Sequence, residues 1–228
     1  MKQLLEGVHY MHVNHVMHRD LKGANLLISK NNQLKIADWG LARGVNKDNG
    51  RGQYTQRVVT LWYRAPELLL GCRRYGRPVD MWSIGCIFGE MLKRKPILPG
   101  NPESEQLLLI FTLVGKPTNT SWPGYQDLPN WRHWEETYRN EEMLPQLKDK
   151  FRQCLGGDET GLDLLGGLLR LNPKKRITAE LAKGVPYLLD CKQPEQLEPL
   201  NVPDSCHELE AKQREKDMGR NVAPRYTH

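Results

Sequence analysis

The stretch "HRDLKGAN", His18–Asn25, constrains this chain more than any other. It packs an imidazole, a guanidinium, a carboxylate, an ammonium and an amide between two segments of regular pattern. Upstream, Met1, Leu4, Leu5, Val8, Met11 and His12 recur at helical spacing, which predicts an amphipathic helix ending near Asn14 and delivering the polar run. Downstream, "LLISKNNQLKIADWG" predicts two short strands, Leu26 to Ser29 and Gln33 to Ala37, turning at Asn31 and Asn32. The hairpin links Asn25 to Asp38.

These residue types suit transfer of a phosphoryl group to a hydroxyl, which requires an aligned nucleophile, a held metal ion and neutralised charge. Asp20 can accept the hydroxyl proton, and Lys22 can reach the moving phosphoryl oxygens. Asn25 offers a hard amide oxygen to Mg2+, and Asp38 a carboxylate from the far end of the hairpin. Any one such motif alone reads better as a surface turn with a solvated salt bridge.

Three motifs in order change that balance. "HRDLKGAN", "DWG" (Asp38–Gly40) and "APE" (Ala65–Glu67) resemble the catalytic loop, magnesium loop and activation-segment end of a protein kinase. The longer stretch "YTQRVVTLWYRAPELLLG" is similar to the cyclin-dependent kinases in particular. The resemblance implies a mainly α fold: the larger, C-terminal lobe of a kinase over residues 1–190, with a small β-hairpin and an activation segment of about 38–67. It implies ATP and Mg2+ as cofactors and Ser/Thr phosphorylation as the activity.

The same resemblance implies further roles. Asp20, Lys22 and Thr60 form the catalytic set, with Thr60 bridging the other two, and Asn25 and Asp38 are the metal ligands. His18 is a buried packing residue. Arg19 and Arg43 receive a phosphate on Thr55, whose charge of about −1.5 to −2 would order the loop; an unmodified Thr55 is the alternative. The Val59 carbonyl turns toward Arg64, which favours proline after the target residue because proline has no N–H to leave unpaired. Asp80 in "DMWSIGC" accepts bonds from the catalytic-loop backbone, and Glu67 with Arg176 forms a buried ion pair. Trp39 stands where the family usually has Phe.

The remaining sequence is read for organisation. Residues 44 to 57 are polar and Gly-rich and predict a loop. Val79 to Leu92, after Pro78, predicts a buried helix, and Glu103 to Val114 another. A Trp- and Pro-rich insert from Pro117 to Pro145 is expected to pack as irregular structure. Gly161 to Leu171 and Thr178 to Leu189 predict short helices, the second capped by Thr178. Residues 191–228 read as a Pro-punctuated linker and a terminal helix opened by Ser205 through Glu208, a capping box. That helix resembles the extension found in the transcription-elongation branch, the kinases of the RNA polymerase II C-terminal domain, or is an ordinary solvated helix.

Composition excludes several classes. The 228 residues carry 33 Lys plus Arg against 27 Asp plus Glu, a net +6 without blocks of like charge, which reads as a mixed surface. Five scattered cysteines indicate neither a disulfide framework nor a zinc site and fit a reducing compartment. No run of 18 apolar residues or signal peptide is visible. A nucleic-acid adaptor lacks any aromatic-basic interleaving.

No glycine-rich loop, V-A-I-K lysine or cyclin-contacting helix glutamate occurs in the 228 residues. The expectation is therefore a piece of a cyclin-dependent-type kinase whose full form pairs with a cyclin, acts on Ser/Thr-Pro sites, and works in the nucleus or the cytoplasm, the nucleus being favoured. The alternative is an inactive docking or decoy module. The four residues Asp20, Lys22, Asn25 and Asp38 favour the first, because docking has no chemical need for all of them.

Overall fold

A computed structural model describes residues 1–45 and 60–200. Thr55, Val59 and the expected helix from Ser205 lie outside the described residues. Helix α1 (Lys2–Val13) buries Leu4, Leu5, Val8, Met11 and His12, the face that the spacing predicts. After β1 (Val16–Met17) and the polar loop come β2 (Leu26–Ile28) and β3 (Leu34–Ile36), antiparallel with Leu26 opposite Ile36. Asn32 takes the left-handed turn position at φ +59°. A second ribbon, β1 with β4 (Arg43–Gly44), was not legible: two-residue strands are too short to show alternation.

Helix α2 (Pro66–Leu69) leads to α3 (Pro78–Lys93), the axis of the core. Every residue from Val79 to Gly89 is buried, and Pro78 sits in the first turn, where an N–H would have no helical partner. A Cβ on Gly85 would lie 2.7 Å from a Leu169 methyl, so the glycine sets how closely α3 approaches the end of α7 (Glu159–Leu168). Burying Trp82, Met81 and Ile84 completely contributes roughly 2 to 3 kcal/mol each against leaving them in water.

The insert after α4 (Glu103–Val114) departs from the sequence reading. In place of irregular structure throughout, it contains α5 (Trp131–Tyr138). Trp131 and Trp134 lie against Phe111, with ring centroids 6.2 and 4.7 Å away, and Tyr125 meets Trp131 at 4.5 Å. Two large aromatics one turn apart bury enough area to hold a short helix without a longer apolar stripe. Helix α6 (Leu147–Arg152) was also not expected. The helix predicted from Thr178 to Leu189 stops earlier. Thr178 caps α8 (Ala179–Lys183) by accepting from the Leu181 N–H at 3.3 Å, but Gly184 and Pro186 end it, and a 3₁₀ turn follows at Pro186–Leu188.

Two long-range ties close the fold. Arg176 donates to both Glu67 carboxylate oxygens, at 2.8 and 2.9 Å, in a pair almost wholly buried. Its remaining donors reach the carbonyls of Pro78, Arg170 and Leu171. The guanidinium thus ties the "APE" motif at the start of α2 to α3 and to the loop between α7 and α8. The Pro-punctuated segment docks over residues 197–200: Asn32 Nδ2 donates to the carbonyls of Leu197 and Glu198, and the Leu200 N–H donates to the Lys30 carbonyl.

Replacing Arg176 with Met leaves Glu67 charged, buried and unpaired. Denaturant unfolding is expected to show a loss of about 3 to 5 kcal/mol. Asn32→Ala is expected to speed hydrogen exchange at Leu200 while leaving the amides of α3 protected.

Candidate active site

Asp80 sits in the first turn of α3, where the buried helix holds it rigidly. Its carboxylate accepts from the backbone N–H of His18 at 3.0 Å and of Arg19 at 2.9 Å, and from His12 Nε2 at 2.9 Å. Arg19 adopts φ +68°, a left-handed conformation costly for a residue with a Cβ, and these bonds over-determine it. The polar loop is therefore shaped from below by one carboxylate. His12 was not singled out by sequence reasoning as Asp80's partner, although its place at i+4 from Val8 already turned it inward.

His18 is fully buried. Its Nε2 lies 3.0 Å from the Ala37 carbonyl, and its Nδ1 accepts from the Asp20 N–H at 3.2 Å. A carbonyl can only accept, so the proton belongs on Nε2. The ring thereby joins the polar loop to the hairpin's exit and meets Trp39 edge-on, at 5.1 Å between centroids.

With the loop set, Asp20, Lys22, Asn25 and Thr60 converge. Asp20 Oδ1 accepts from the Thr60 N–H and hydroxyl at 3.1 and 3.2 Å. Its Oδ2 accepts from Asn25 Nδ2 at 3.2 Å and pairs with Lys22 Nζ at 3.1 Å. Lys22 also donates to the Thr60 hydroxyl at 3.2 Å, so the threonine bridges carboxylate and ammonium. Asp20 is 7% exposed, enough to be reached at one edge. Its carboxylate is fixed by four donors, a preorganisation that suits a proton acceptor.

The hairpin closes the other side. The Ala37 N–H donates to the Asn25 carbonyl at 2.9 Å, extending the β2–β3 ladder and bringing Asp38 to the same end as Asn25. Asn25 spends its amide nitrogen on Asp20, leaving its Oδ1 clear of any hydrogen bond among the described residues. Asp38, exposed and at φ +61°, accepts from the Gly40 N–H through Oδ1. An amide oxygen and a carboxylate are the hard donors that fit Mg2+, which takes one or two protein ligands and fills its shell with phosphate and water. Among the described residues no group of three or more His, Cys, Asp or Glu could hold a metal ion, so closed zinc-type sites are not part of the described fold.

The other candidates take distinct places. Arg19 Nε donates to the Leu41 carbonyl at 2.8 Å and its Nη1 to the Tyr75 hydroxyl at 3.0 Å, while Arg43 is exposed on β4 opposite Met17. Arg64 pairs with Glu103 at the start of α4. Trp62 Nε1 donates to the Gly100 carbonyl at 3.2 Å, and the Gly100 N–H donates to the buried Gln106 side chain at 3.0 Å. This tie between the 60–64 segment and α4 had no sequence signal, because it pairs residues about forty positions apart. Ile28, Trp39 and Leu41 form exposed apolar surface near the hairpin.

A buried helix, a polar loop carrying an Asp-Lys-Asn-Thr cluster and a hairpin presenting a second carboxylate are arranged as in a protein kinase domain. The chain belongs to the protein kinase family: residues 1–188 match the protein kinase domain. Its curated relatives include cyclin-dependent kinase C-1 of Oryza sativa subsp. japonica, 45% identical over 221 residues, covering 96% of this chain and 41% of the relative. Cyclin-dependent kinase C-1 of Arabidopsis thaliana is 46% identical over 217 residues, covering 94% and 41%. Among solved structures, the yeast RNA Pol II CTD kinase CTDK-1 complex contains a chain 41% identical with a TM-score of 0.79, covering 88% of this chain and 64% of that one. The CAK complex of Chaetomium thermophilum bound to ATP-gamma-S gives 40% and 0.78, covering 86% and 60%. The chain spans about two fifths of the length of the first curated relatives it matches.

Asp80→Asn keeps the shape but places an amide donor among three donors. Hydrogen exchange at His18 and Arg19 is expected to accelerate before that of α7, with stability falling on the order of 3 kcal/mol in denaturant titration.

Proposed function

We propose that this chain carries the phosphoryl-transfer half of a cyclin-dependent-type Ser/Thr protein kinase. The observation that carries the reading is the convergence of Lys22, Asn25 and Thr60 on the Asp20 carboxylate. Asp20 accepts the proton of the substrate hydroxyl, and Thr60 keeps that carboxylate turned toward the groove. Lys22, already between Asp20 and Thr60, neutralises charge on the transferred group. Asn25 and Asp38 would hold Mg2+, which when bound with ATP supplies charge neutralisation across the phosphates.

The described part corresponds to the larger lobe of such a kinase. A smaller lobe in the longer protein would supply the glycine-rich loop and phosphate-contacting lysine, neither of which occurs in the 228 residues. Exposed Ile28, Trp39 and Leu41 support this, since apolar surface of that kind favours a covering element. The cyclin belongs to that longer protein. Specificity for Ser/Thr-Pro would rest on Val59 and Arg64, the activating phosphate on Thr55 with Arg19 and Arg43, and the substrate class on the RNA polymerase II C-terminal domain, with nuclear residence. The relatives' transcription-linked kinases support that assignment. An inactive docking module explains the fold equally but not the assembled cluster.

The test joins the smaller lobe of a cyclin-dependent kinase C relative ahead of Met1, adds its cyclin, and measures transfer from labelled ATP to a Ser-Pro peptide and its Ser-Ala counterpart. Transfer is expected to prefer Ser-Pro and to fall about 10²- to 10⁴-fold with Asp20→Asn. A rate unchanged by Asp20→Asn would overturn the assignment.

A further inference from the structure

A groove of about 780 Å³ opens between the end of α4, the Met143–Leu147 segment and the loop joining α7 to α8. None of its lining residues belongs to the polar loop or the 60–67 segment, so it is separate from the site described above. Val114, Met143, Leu147 and Leu169 contribute apolar surface to it, and Leu144, 66% exposed, stands on its lining as well. A second hollow of about 310 Å³ shares Thr120 and Lys175 with it and extends it past Lys174.

The wall of this groove is cationic. Lys116, Arg170 and Lys175 line the larger hollow, Lys174 and Lys175 the smaller, and no Asp or Glu lines either. Lys116 is half-buried and donates to the Tyr138 carbonyl at 2.9 Å, whereas Arg170, Lys174 and Lys175 are exposed and make no ion pair among the described residues. Nearby cations behave differently: Lys148 pairs with Glu159 and Asp163, and Arg152 with Glu159. The cationic turn is also rigid. Asn172 Oδ1 accepts from the Lys174 N–H at 3.0 Å, the Asn172 carbonyl accepts from the Lys175 N–H at 3.0 Å, and Arg176 grips the carbonyls of Arg170 and Leu171 from inside the core.

We propose that this groove docks a partner protein through an acidic peptide segment with apolar anchors, the carboxylates facing Arg170, Lys174 and Lys175 and the anchors lying on the Val114–Leu169 floor. Charge complementarity selects the occupant: the three cations need anions, and the apolar floor needs side chains that a phosphate or sugar backbone does not have. Trp122, the aromatic ring of the smaller hollow, is 5% exposed and offers no face for stacking a base, which disfavours single-stranded RNA. A turn already fixed by the core loses little entropy on binding, so modest contacts suffice for a weak, specific peptide complex.

The experiment uses the 228-residue chain and a fluorescein-labelled peptide, Glu-Glu-Leu-Glu-Glu-Leu-Phe-Glu, followed by anisotropy. Binding is expected to weaken about tenfold in a Lys174→Glu, Lys175→Glu double variant, whose side chains are exposed, and to fall with added salt. A Leu144→Ser variant tests the apolar half separately and is expected to weaken binding without changing the salt dependence. A peptide with Ser in place of Leu and Phe is expected to bind more weakly than the parent. No binding, or binding indifferent to both variants, overturns the proposal. So does tighter binding of a uridine homopolymer or of phosphatidylserine vesicles with the same dependence on Lys174 and Lys175. The readout is binding rather than phosphate transfer, so its failure is separable from failure of the kinase reading.

Discussion

Everything at the site hangs from one carboxylate. Asp80 presents two oxygens from the first turn of a helix that is buried from Val79 to Gly89, and those oxygens collect the His18 and Arg19 amides and the His12 ring. A charged acceptor in a buried setting is stable only when its lone pairs are met, so the loop has little freedom to take another shape. The left-handed conformation of Arg19 is the visible consequence. Asp20 follows immediately, and its direction is inherited from that constraint.

A second layer of constraint comes from Arg176. By holding Glu67 and the carbonyls of Pro78, Arg170 and Leu171, it connects the segment that carries Thr60 to the same helix that carries Asp80. The bridging Thr60 and the proposed base Asp20 approach each other from opposite directions of the chain, yet both are referenced to α3. The same guanidinium stiffens the cationic turn around Lys174, so one buried group serves the interior and shapes two surfaces.

Much of this was readable in the sequence where the signal is local. Helical spacing marked α1 because it buries a regular stripe, apolar runs marked α3 and α4, and the Asn31-Asn32 turn marked the hairpin because those residues tolerate left-handed backbone. Asp20, Lys22, Asn25 and Thr60 were identifiable through motif order. What escaped was set by size or by distance. The β1–β4 ribbon is too short for a pattern, α5 is held by two tryptophans rather than a stripe, and the docking of residues 197–200 on Asn32 joins segments far apart in the chain.

The amino-acid order by itself determined which groups could do chemistry and marked α1, α3, α4 and the hairpin, since propensity, capping and periodicity act between near neighbours. Only the tertiary structure decided that His12 meets Asp80, that Arg64 meets Glu103, and that Arg170, Lys174 and Lys175 stand, among the described residues, without an ion pair beside an apolar floor. Those pairings, and that missing one, depend on how helices distant in sequence pack, and packing is settled by the summed fit of the whole core rather than by any stretch within it.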